Sequence, residues 1–146
     1  MGRARSEQSV EVAAPRERCF AVLVDYDAFP AWQDAMRETV VHERDAEGRG
    51  SLVEFVIDAR VRAIRYTLRY RYEPPGRITW RSVGGDVRSI DGEMLLEPGA
   101  AAGATRATYR LEIDPGLFVP GPVRRRLSDE LMRRFMHDLR RRAEAG

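Results

Sequence analysis

The feature that most constrains this chain is a run of six segments in its middle, in which apolar and polar residues alternate. We predict strands at residues 36–44, 51–61, 65–73, 77–83, 88–97 and 105–114. They are separated by short stretches rich in Gly and Pro, at 47–50, 74–76, 84–86 and 98–103. Because connections this short join strands that run in opposite directions, the pattern predicts an antiparallel meander.

Helical patterns flank this run on both sides. A short strand is predicted at 8–12, followed by a helix at 16–24 and a second short helix that carries Phe29 and Trp32. The longest periodic segment, 123–143, is strongly amphipathic and predicts a long helix. Its apolar side carries Val123, Leu127, Leu131, Met132, Phe135, Met136, Leu139 and Ala143. Its other side is rich in arginine.

Length and element order together define the expected fold class. The 146 residues predict a single domain over 1–146. One strand, two short helices, six strands and a long helix predict an α+β fold. We expect a curved antiparallel sheet of about seven strands wrapped around the C-terminal helix. That helix should bury Leu127, Leu131 and Phe135.

Composition excludes several classes of protein. One cysteine and two histidines argue against a disulfide framework and a metal cage, so we expect no metal and no cofactor. The sequence has no apolar run of the ~18–20 residues that a membrane span needs, and its start has no signal-peptide core, so we expect a cytoplasmic protein. The net charge is +2, but residues 122–146 hold eight arginines and four acidic residues. The basic excess therefore lies on the last helix.

Several local motifs, together with the element order, resemble one known superfamily. They are Val-Glu-Val-Ala-Ala-Pro at 10–15, Val-Asp-Tyr-Asp-Ala-Phe-Pro-Ala-Trp at 24–32, Tyr-Thr-Leu-Arg-Tyr-Arg-Tyr-Glu-Pro-Pro at 66–75, Ile-Thr-Trp at 78–80, Asp-Gly at 91–92 and Gly-Ala-Thr-Arg-Ala-Thr-Tyr at 103–109. Over essentially its whole length the chain resembles the START-like helix-grip superfamily, also called SRPBCC. Within it, the chain is most similar to the polyketide cyclase/dehydrase and coenzyme-Q-binding-protein branch.

The resemblance implies a deep, mostly apolar cavity between the concave sheet face and the C-terminal helix. Such cavities hold lipids, isoprenoids, polyketides or hormones, and a curved sheet that one helix cannot fill favours the same conclusion. For each single aromatic residue the alternative is ordinary core packing. The candidate ligand-binding residues are Phe29, Trp32, Phe55, Tyr66, Tyr70, Trp80, Met94, Tyr109, Phe118, Ser128, Leu131 and Phe135.

Three residues are candidates for catalysis. Relatives with aromatase/cyclase activity place an arginine from about the 65–73 strand inside the cavity, and Arg69 or Arg71 matches that position. Alternation predicts the opposite, because it turns the tyrosines of this strand inward and leaves both arginines solvated. With an inward arginine, the hydroxyl of Tyr109 could serve as the acid in an aldol-type cyclisation and dehydration.

Two functions from different classes follow. The first is binding of a small hydrophobic or aromatic ligand, polyketide-, lipid- or isoprenoid-like, by a monomer or homodimer, with cyclisation and dehydration as its enzymatic version. The second is an interaction protein that uses the basic face of its last helix on RNA, a ribosome or an acidic surface, as some relatives act on ribosomes. We expect no DNA partner. An open apolar cavity would favour the first function, and a collapsed cavity with a continuous basic strip would favour the second.

Overall fold

The computed structural model describes residues 4–58, 62–114, 116 and 121–145, and for residues 4 and 121–127 it describes the backbone alone. In chain order the elements are β1 (Ala4–Val12), α1 (Arg16–Val24), a 3-10 turn (Tyr26–Ala28), α2 (Phe29–Trp32), β2 (Met36–Arg44), β3 (Gly50–Asp58), β4 (Ala63–Glu73), β5 (Arg77–Gly85), β6 (Ser89–Pro98), β7 (Thr105–Asp114) and α3 (Gly121–Ala145). Within this part of the chain, no helix combines the length and apolar character that crossing a membrane requires.

The seven strands form one antiparallel sheet in the order β1-β7-β6-β5-β4-β3-β2. The predicted meander and the α+β helix-grip fold are thus confirmed. β1 starts earlier than the predicted strand at 8–12, because its backbone pairs with β7 from Ala4 to Val12. The predicted strand at 51–61 ends at Asp58, and residues 59–61 lie outside the described part.

Irregular pairing bends the sheet. The register between β2 and β3 shifts at three places, and that between β4 and β5 shifts once, between Thr67 and Leu68. An extra residue on one strand of a pair increases the local twist and bends that strand. Gly85, at φ 120°, lies at the end of β5, where a Cβ would come within 2.4 Å of the Arg65 carbonyl oxygen. The result is a sheet with one concave and one convex face.

Alternation assigns side chains to the two faces. On β4, Ile64 and Leu68 are buried on the concave side, whereas Arg65 is exposed on the other. Ion pairs cross the convex face; for example, the Arg110 guanidinium bridges Glu7 at 2.9 Å and Glu93 at 3.0 Å. Exposed pairs of this kind each contribute little to stability. They mainly keep the outer face polar.

α3 packs most closely along β1 and α1. The Ser6 hydroxyl donates to Asp129 at 2.6 Å, and the Ala13 N–H donates to the Glu144 carboxylate at 2.8 Å. The Arg18 guanidinium donates to the carbonyls of Arg142 and Ala143, which satisfies two of the free carbonyls in the last turn of α3. The helix is therefore fastened to one end of the sheet.

The buried stripe of α3 matches most of the predicted apolar side. Its members are Ser128, Met132, Met136, Leu139 and Ala143. Leu131 and Phe135, which were expected to be buried, are only half-buried, because both border a cavity. The side chain of Leu127 is outside the described part.

The buried side chains form two separate clusters. One joins β1, α1 and α3 to the neighbouring strands, and its members include Val12, Cys19, Leu23, Ile78, Met94, Met136 and Leu139. The other joins the 3-10 turn and α2 to β2, β3 and β4, and its members include Tyr26, Phe29, Met36, Val53, Phe55, Ile64 and Leu68. Both clusters share half-buried aromatic neighbours, among them Trp32, Tyr70 and Trp80.

The two leucines of α3 provide a test of this arrangement. Leu139→Ala should lower the free energy of unfolding by about 2–5 kcal/mol, because it opens a void in a closed part of the core. Leu131→Ala should cost clearly less, because its side chain already borders empty space. Urea denaturation of both variants measures the difference. Equal losses would contradict the position of Leu131 at the cavity wall.

Candidate ligand-binding cavity

A cavity of about 160 Å³ lies between the two clusters, under α2 and α3 and over the concave face of the sheet. Its wall is almost entirely apolar. A cavity of ~150 Å³ with aliphatic and aromatic walls stays dry and binds benzene. The space as it stands therefore suits one aromatic ring with short substituents.

Four aromatic rings on the sheet form one side of the cavity. The ring centroids of Phe55 and Tyr70 lie 6.4 Å apart, those of Tyr70 and Trp80 5.9 Å, and those of Trp80 and Tyr109 5.6 Å. These separations fall in the range in which aromatic pairs attract one another beyond simple burial. The strands thus carry a continuous aromatic arc from β3 to β7.

Rings from the helices complete this arc. Phe135 of α3 lies 5.2 Å from Tyr109 and 5.8 Å from Trp32, and Trp32 lies 5.2 Å from Phe29. Phe29 returns to Phe55 at 6.1 Å. The seven rings therefore form a closed chain of contacts, which we call the aromatic circuit. Its members are Phe29, Trp32, Phe55, Tyr70, Trp80, Tyr109 and Phe135.

Gly92 on β6 makes the contact between Trp80 and Tyr109 possible. It pairs with Trp80 on one side and Leu111 on the other, and so lies between the strands that carry the two rings. A Cβ at position 92 would come within 2.4 Å of the Trp80 indole nitrogen. The indole therefore covers the glycine, which only a residue without a side chain allows.

Three tyrosine hydroxyls form a hydrogen-bonded series beside the cavity. The Tyr72 hydroxyl donates to the Gly50 carbonyl at 2.5 Å and lies 2.7 Å from the Tyr26 hydroxyl. Because the single hydroxyl proton of Tyr72 is donated to Gly50, Tyr26 is the donor to Tyr72. The hydroxyl of Tyr70 adjoins that of Tyr26. These hydrogen bonds connect the 3-10 turn after α1 to β3 and β4.

Two other tyrosine hydroxyls reach the cavity itself. Within the described part of the chain, those of Tyr66 and Tyr109 have no hydrogen-bond partner, and both residues line the cavity. Burial raises the pKa of both phenols above the ordinary value, and the nearby Tyr109 hydroxyl adds to the rise in the pKa of Tyr66. Both therefore remain neutral and can donate a hydrogen bond.

The remaining polar lining comes from the helices. Gln33 follows α2, while Ser128, Arg134 and Asp138 belong to α3. Burial raises the pKa of the Asp138 carboxyl. A hydrogen bond from the Asp34 backbone opposes this rise, the Asp34 carboxylate adds to it, and the Arg134 guanidinium opposes it. Arg134 and Asp138 are half-buried, so this part of the wall reaches solvent.

Most predicted binding residues lie where a ligand could touch them. Those that line the cavity are Phe29, Phe55, Tyr66, Tyr70, Trp80, Met94, Tyr109, Ser128, Leu131 and Phe135. Trp32 is not among the lining residues; its half-buried ring packs edge-on against Phe29 and Phe135, which do line the cavity. Phe118 lies outside the described residues.

The arginines predicted as catalytic do not enter the cavity. Arg69 and Arg71 are exposed on the convex face, and the Arg69 guanidinium pairs with Glu43 at 3.5 Å. The inward positions of β4 belong to Tyr66, Leu68 and Tyr70, as alternation predicts. The placement implied by the resemblance is therefore wrong for both arginines. An inward guanidinium would have left a buried charge without a carboxylate.

Aliphatic residues on the same strand faces also line the cavity, beyond those predicted. They are Met36, Ile57, Ile64, Leu68, Ile78, Ile90, Leu111 and Ile113, and Val87 joins them from the turn between β5 and β6. Most could have been found by extending the alternation of each predicted aromatic residue two positions along its strand. Gln33 carries no such signal, because it follows a helix of only one turn. Among the described residues, no group of three or more His, Cys, Asp or Glu side chains could hold a metal.

The buried phenols predict a delayed tyrosine titration. Burial raises the pKa of all five tyrosines, that of Tyr72 to about 12. In the native protein, tyrosinate absorbance should appear only well above pH 10, whereas the denatured chain should titrate near 10. Because the unfolded chain loses these protons first, the free energy of unfolding should fall as the pH rises past about 10. Native titration of most tyrosines near pH 10 would show that the phenols are hydrated.

Solved structures share this architecture. A START superfamily protein from Mycobacterium smegmatis has a TM-score of 0.88 at 22% identity, with 97% of each chain covered. A protein from Thermus thermophilus has a TM-score of 0.84 at 18% identity, covering 97% of this chain and 98% of that one. The Zhui aromatase/cyclase from Streptomyces sp. R1128 has a TM-score of 0.77 at 16% identity, covering 98% and 92%. At these identities the likeness shows the fold alone.

The sequence itself assigns the family. No curated protein matches the chain at a significant level. A family profile described as "Polyketide cyclase / dehydrase and lipid transport" matches residues 3–144, which is nearly the whole chain. Together with the helix-grip sheet and its cavity, this match shows that the chain belongs to the polyketide cyclase/dehydrase and lipid transport family.

Proposed function

We propose that this protein binds a small, mainly apolar aromatic molecule in the cavity between its sheet and helices. The observation that carries the proposal is the aromatic circuit around an open space of about 160 Å³. A well-packed core leaves few voids larger than a water molecule, so a space of this size is unusual for a chain that only needs to fold. Its lining of aromatic side chains with a few polar groups is typical of ligand pockets.

Binding is better supported than cyclisation. A cyclase site needs one group to polarise a carbonyl and another to move a proton, in a space with little water. Arg69 and Arg71 are on the convex face, and Arg134 is half-buried one turn from Asp138. Tyr109, whose pKa burial raises, suits a neutral hydrogen-bond donor better than a proton carrier. The similarity to an aromatase/cyclase supports the cavity and the kind of ligand rather than the reaction.

The basic face of α3 remains the alternative predicted surface. Arg133, His137, Arg140 and Arg141 are exposed there, and the Arg140 guanidinium pairs with Glu144 at 3.2 Å. The expected sign of an interaction protein was a collapsed cavity beside a continuous basic strip. The open cavity therefore favours the small ligand over RNA or an acidic surface.

Ligand binding can be tested with Trp80 as the reporter. One-ring aromatic ketones and phenols should quench its emission and raise the melting temperature, because binding to the native state alone stabilises it. Gly92→Ala should weaken binding at least roughly tenfold, about 1.4 kcal/mol, because a methyl group there drives the indole into the cavity. Fluorescence titration and calorimetry measure both effects.

Gly84→Ala is the matched control, because a Cβ at position 84 would meet no atom within 4 Å. It should bind as the unchanged protein does. Absence of binding across the panel by a folded protein would overturn the proposal. Mass spectrometry of the recovered ligand separates the two versions of the function: an unchanged mass indicates carriage, and the loss of water indicates a dehydratase.

A further inference from the structure

Three tyrosine rings on the sheet line the cavity, but their hydroxyls differ in what they can offer a bound molecule. They belong to Tyr66, Tyr70 and Tyr109. Within the described part of the chain, the hydroxyls of Tyr66 and Tyr109 have no hydrogen-bond partner, and neither is fully enclosed by protein. The Tyr70 hydroxyl adjoins that of Tyr26 instead. The cavity therefore has two free phenols and one that the protein already engages.

Tyr26 stands behind this wall and holds a fixed position. It is 2% exposed and does not itself line the cavity. Its ring centroid lies 4.9 Å from that of Tyr70, and it also contacts Phe29 at 5.1 Å and Phe55 at 6.0 Å. Its backbone carbonyl accepts from the Thr39 hydroxyl at 2.8 Å. Any influence of Tyr26 on a ligand must therefore act through its neighbours.

The positions of the hydroxyl protons follow from the carbonyl at the end of the hydrogen-bonded series. The Gly50 carbonyl can only accept, so the Tyr72 hydroxyl, 2.5 Å away, gives it its single proton. The Tyr26 hydroxyl, 2.7 Å from that of Tyr72, then donates its own proton to the Tyr72 oxygen. The Tyr26 oxygen is left as an acceptor, and the adjoining Tyr70 hydroxyl donates to it.

Tyr26 bridges two phenols that cannot reach each other. The rings of Tyr70 and Tyr72 are stacked, with centroids 5.9 Å apart and an angle of 5° between their planes. Because parallel rings on one strand face carry their hydroxyls about as far apart as the rings, these two lie beyond hydrogen-bond distance of each other. The proton of Tyr70 is thus held by Tyr26 and not by Tyr72.

The Tyr70 hydroxyl would face the cavity if Tyr26 released it. Burial raises the pKa of Tyr70, and the nearby phenols of Tyr66 and Tyr109 add to the rise, so the three hydroxyls surround one space. A phenol proton turns about the C–O bond without any movement of the ring. Loss of the acceptor on Tyr26 would therefore redirect the Tyr70 donor and leave the wall in place.

We infer that Tyr26 is a positioning residue whose hydroxyl accepts the Tyr70 proton and so keeps Tyr70 from donating into the cavity. Tyr66 and Tyr109 are then the two phenol donors that a ligand meets. Tyr26 thereby limits how strongly the cavity prefers a ligand with an acceptor over one of the same shape without it. This inference rests on the proposed function, because it needs a ligand in the cavity.

Acetophenone and α-methylstyrene measure this preference, because they differ only in the exchange of C=O for C=CH₂. Calorimetry gives the ratio of acetophenone to α-methylstyrene affinity for each variant. Tyr26→Phe keeps the buried ring and removes the acceptor, so it should raise this ratio roughly fivefold, the effect of one added hydrogen bond. The double variant Tyr66→Phe/Tyr109→Phe, which removes both free donors, should lower the ratio.

Two further variants separate positioning from a structural role. Tyr70→Phe alone should leave the ratio unchanged, because its hydroxyl does not donate to the ligand. Tyr26→Phe/Tyr70→Phe should return the ratio to that of the unchanged protein. If Tyr26 were only structural, Tyr26→Phe would lower the melting temperature without raising the ratio, and the inference would be overturned. A lower ratio in Tyr70→Phe would overturn it as well, even if Tyr26→Phe did not fold.

The outcomes for the unchanged protein keep the two proposals apart. Binding of α-methylstyrene with no effect of Tyr26→Phe on the ratio would leave ligand binding standing and reject the role of Tyr26. Binding of neither probe, nor of the other one-ring ketones and phenols, would reject both.

Discussion

The curvature of the sheet is the constraint on which the rest of this structure depends. Seven antiparallel strands bent by irregular pairing enclose more space than one helix can occupy. α3 is fastened to β1 and α1 at one end, and the 3-10 turn with α2 covers the other. The core is therefore split into two clusters, and the cavity is the space between them. Aromatic side chains bridge this space because they are long enough to reach across it.

Much of the fold could be predicted because it depends on local patterns. Alternation and turn residues predicted the meander, and β2 and β7 have the predicted bounds. The long helix and four of the five residues in its buried stripe were expected from its period. The half-burial of Leu131 and Phe135 was not, since an apolar residue at a cavity and one in packed protein look alike in sequence. Leu131 and Phe135 line the cavity, whereas Met136 and Leu139 pack inside a closed cluster.

In the candidate site, too, residues on strands could be predicted, whereas residues outside regular elements could not. The alternation of side chains along strands correctly predicted that Tyr66 and Tyr109 face the cavity. It also correctly predicted that Arg69 and Arg71 face outward, where the resemblance implied that one of them faces inward. Residues outside regular elements carried no period. The positions of Gln33 and Trp32 depend on how a one-turn helix meets α3, which only tertiary packing decides.

The aromatic circuit has one arc that is held by backbone and one that is not. From Phe55 to Tyr109 its rings stand on strands joined by hydrogen bonds, with Gly92 allowing the one contact that skips a strand. From Phe135 through Trp32 to Phe29 the rings stand on helices that meet through side chains. Parting two rings costs far less than parting two strands. The circuit thus has one half fixed by the sheet and one half held by side-chain contacts alone, so separating α2 from α3 would open the cavity with the least disruption of the sheet.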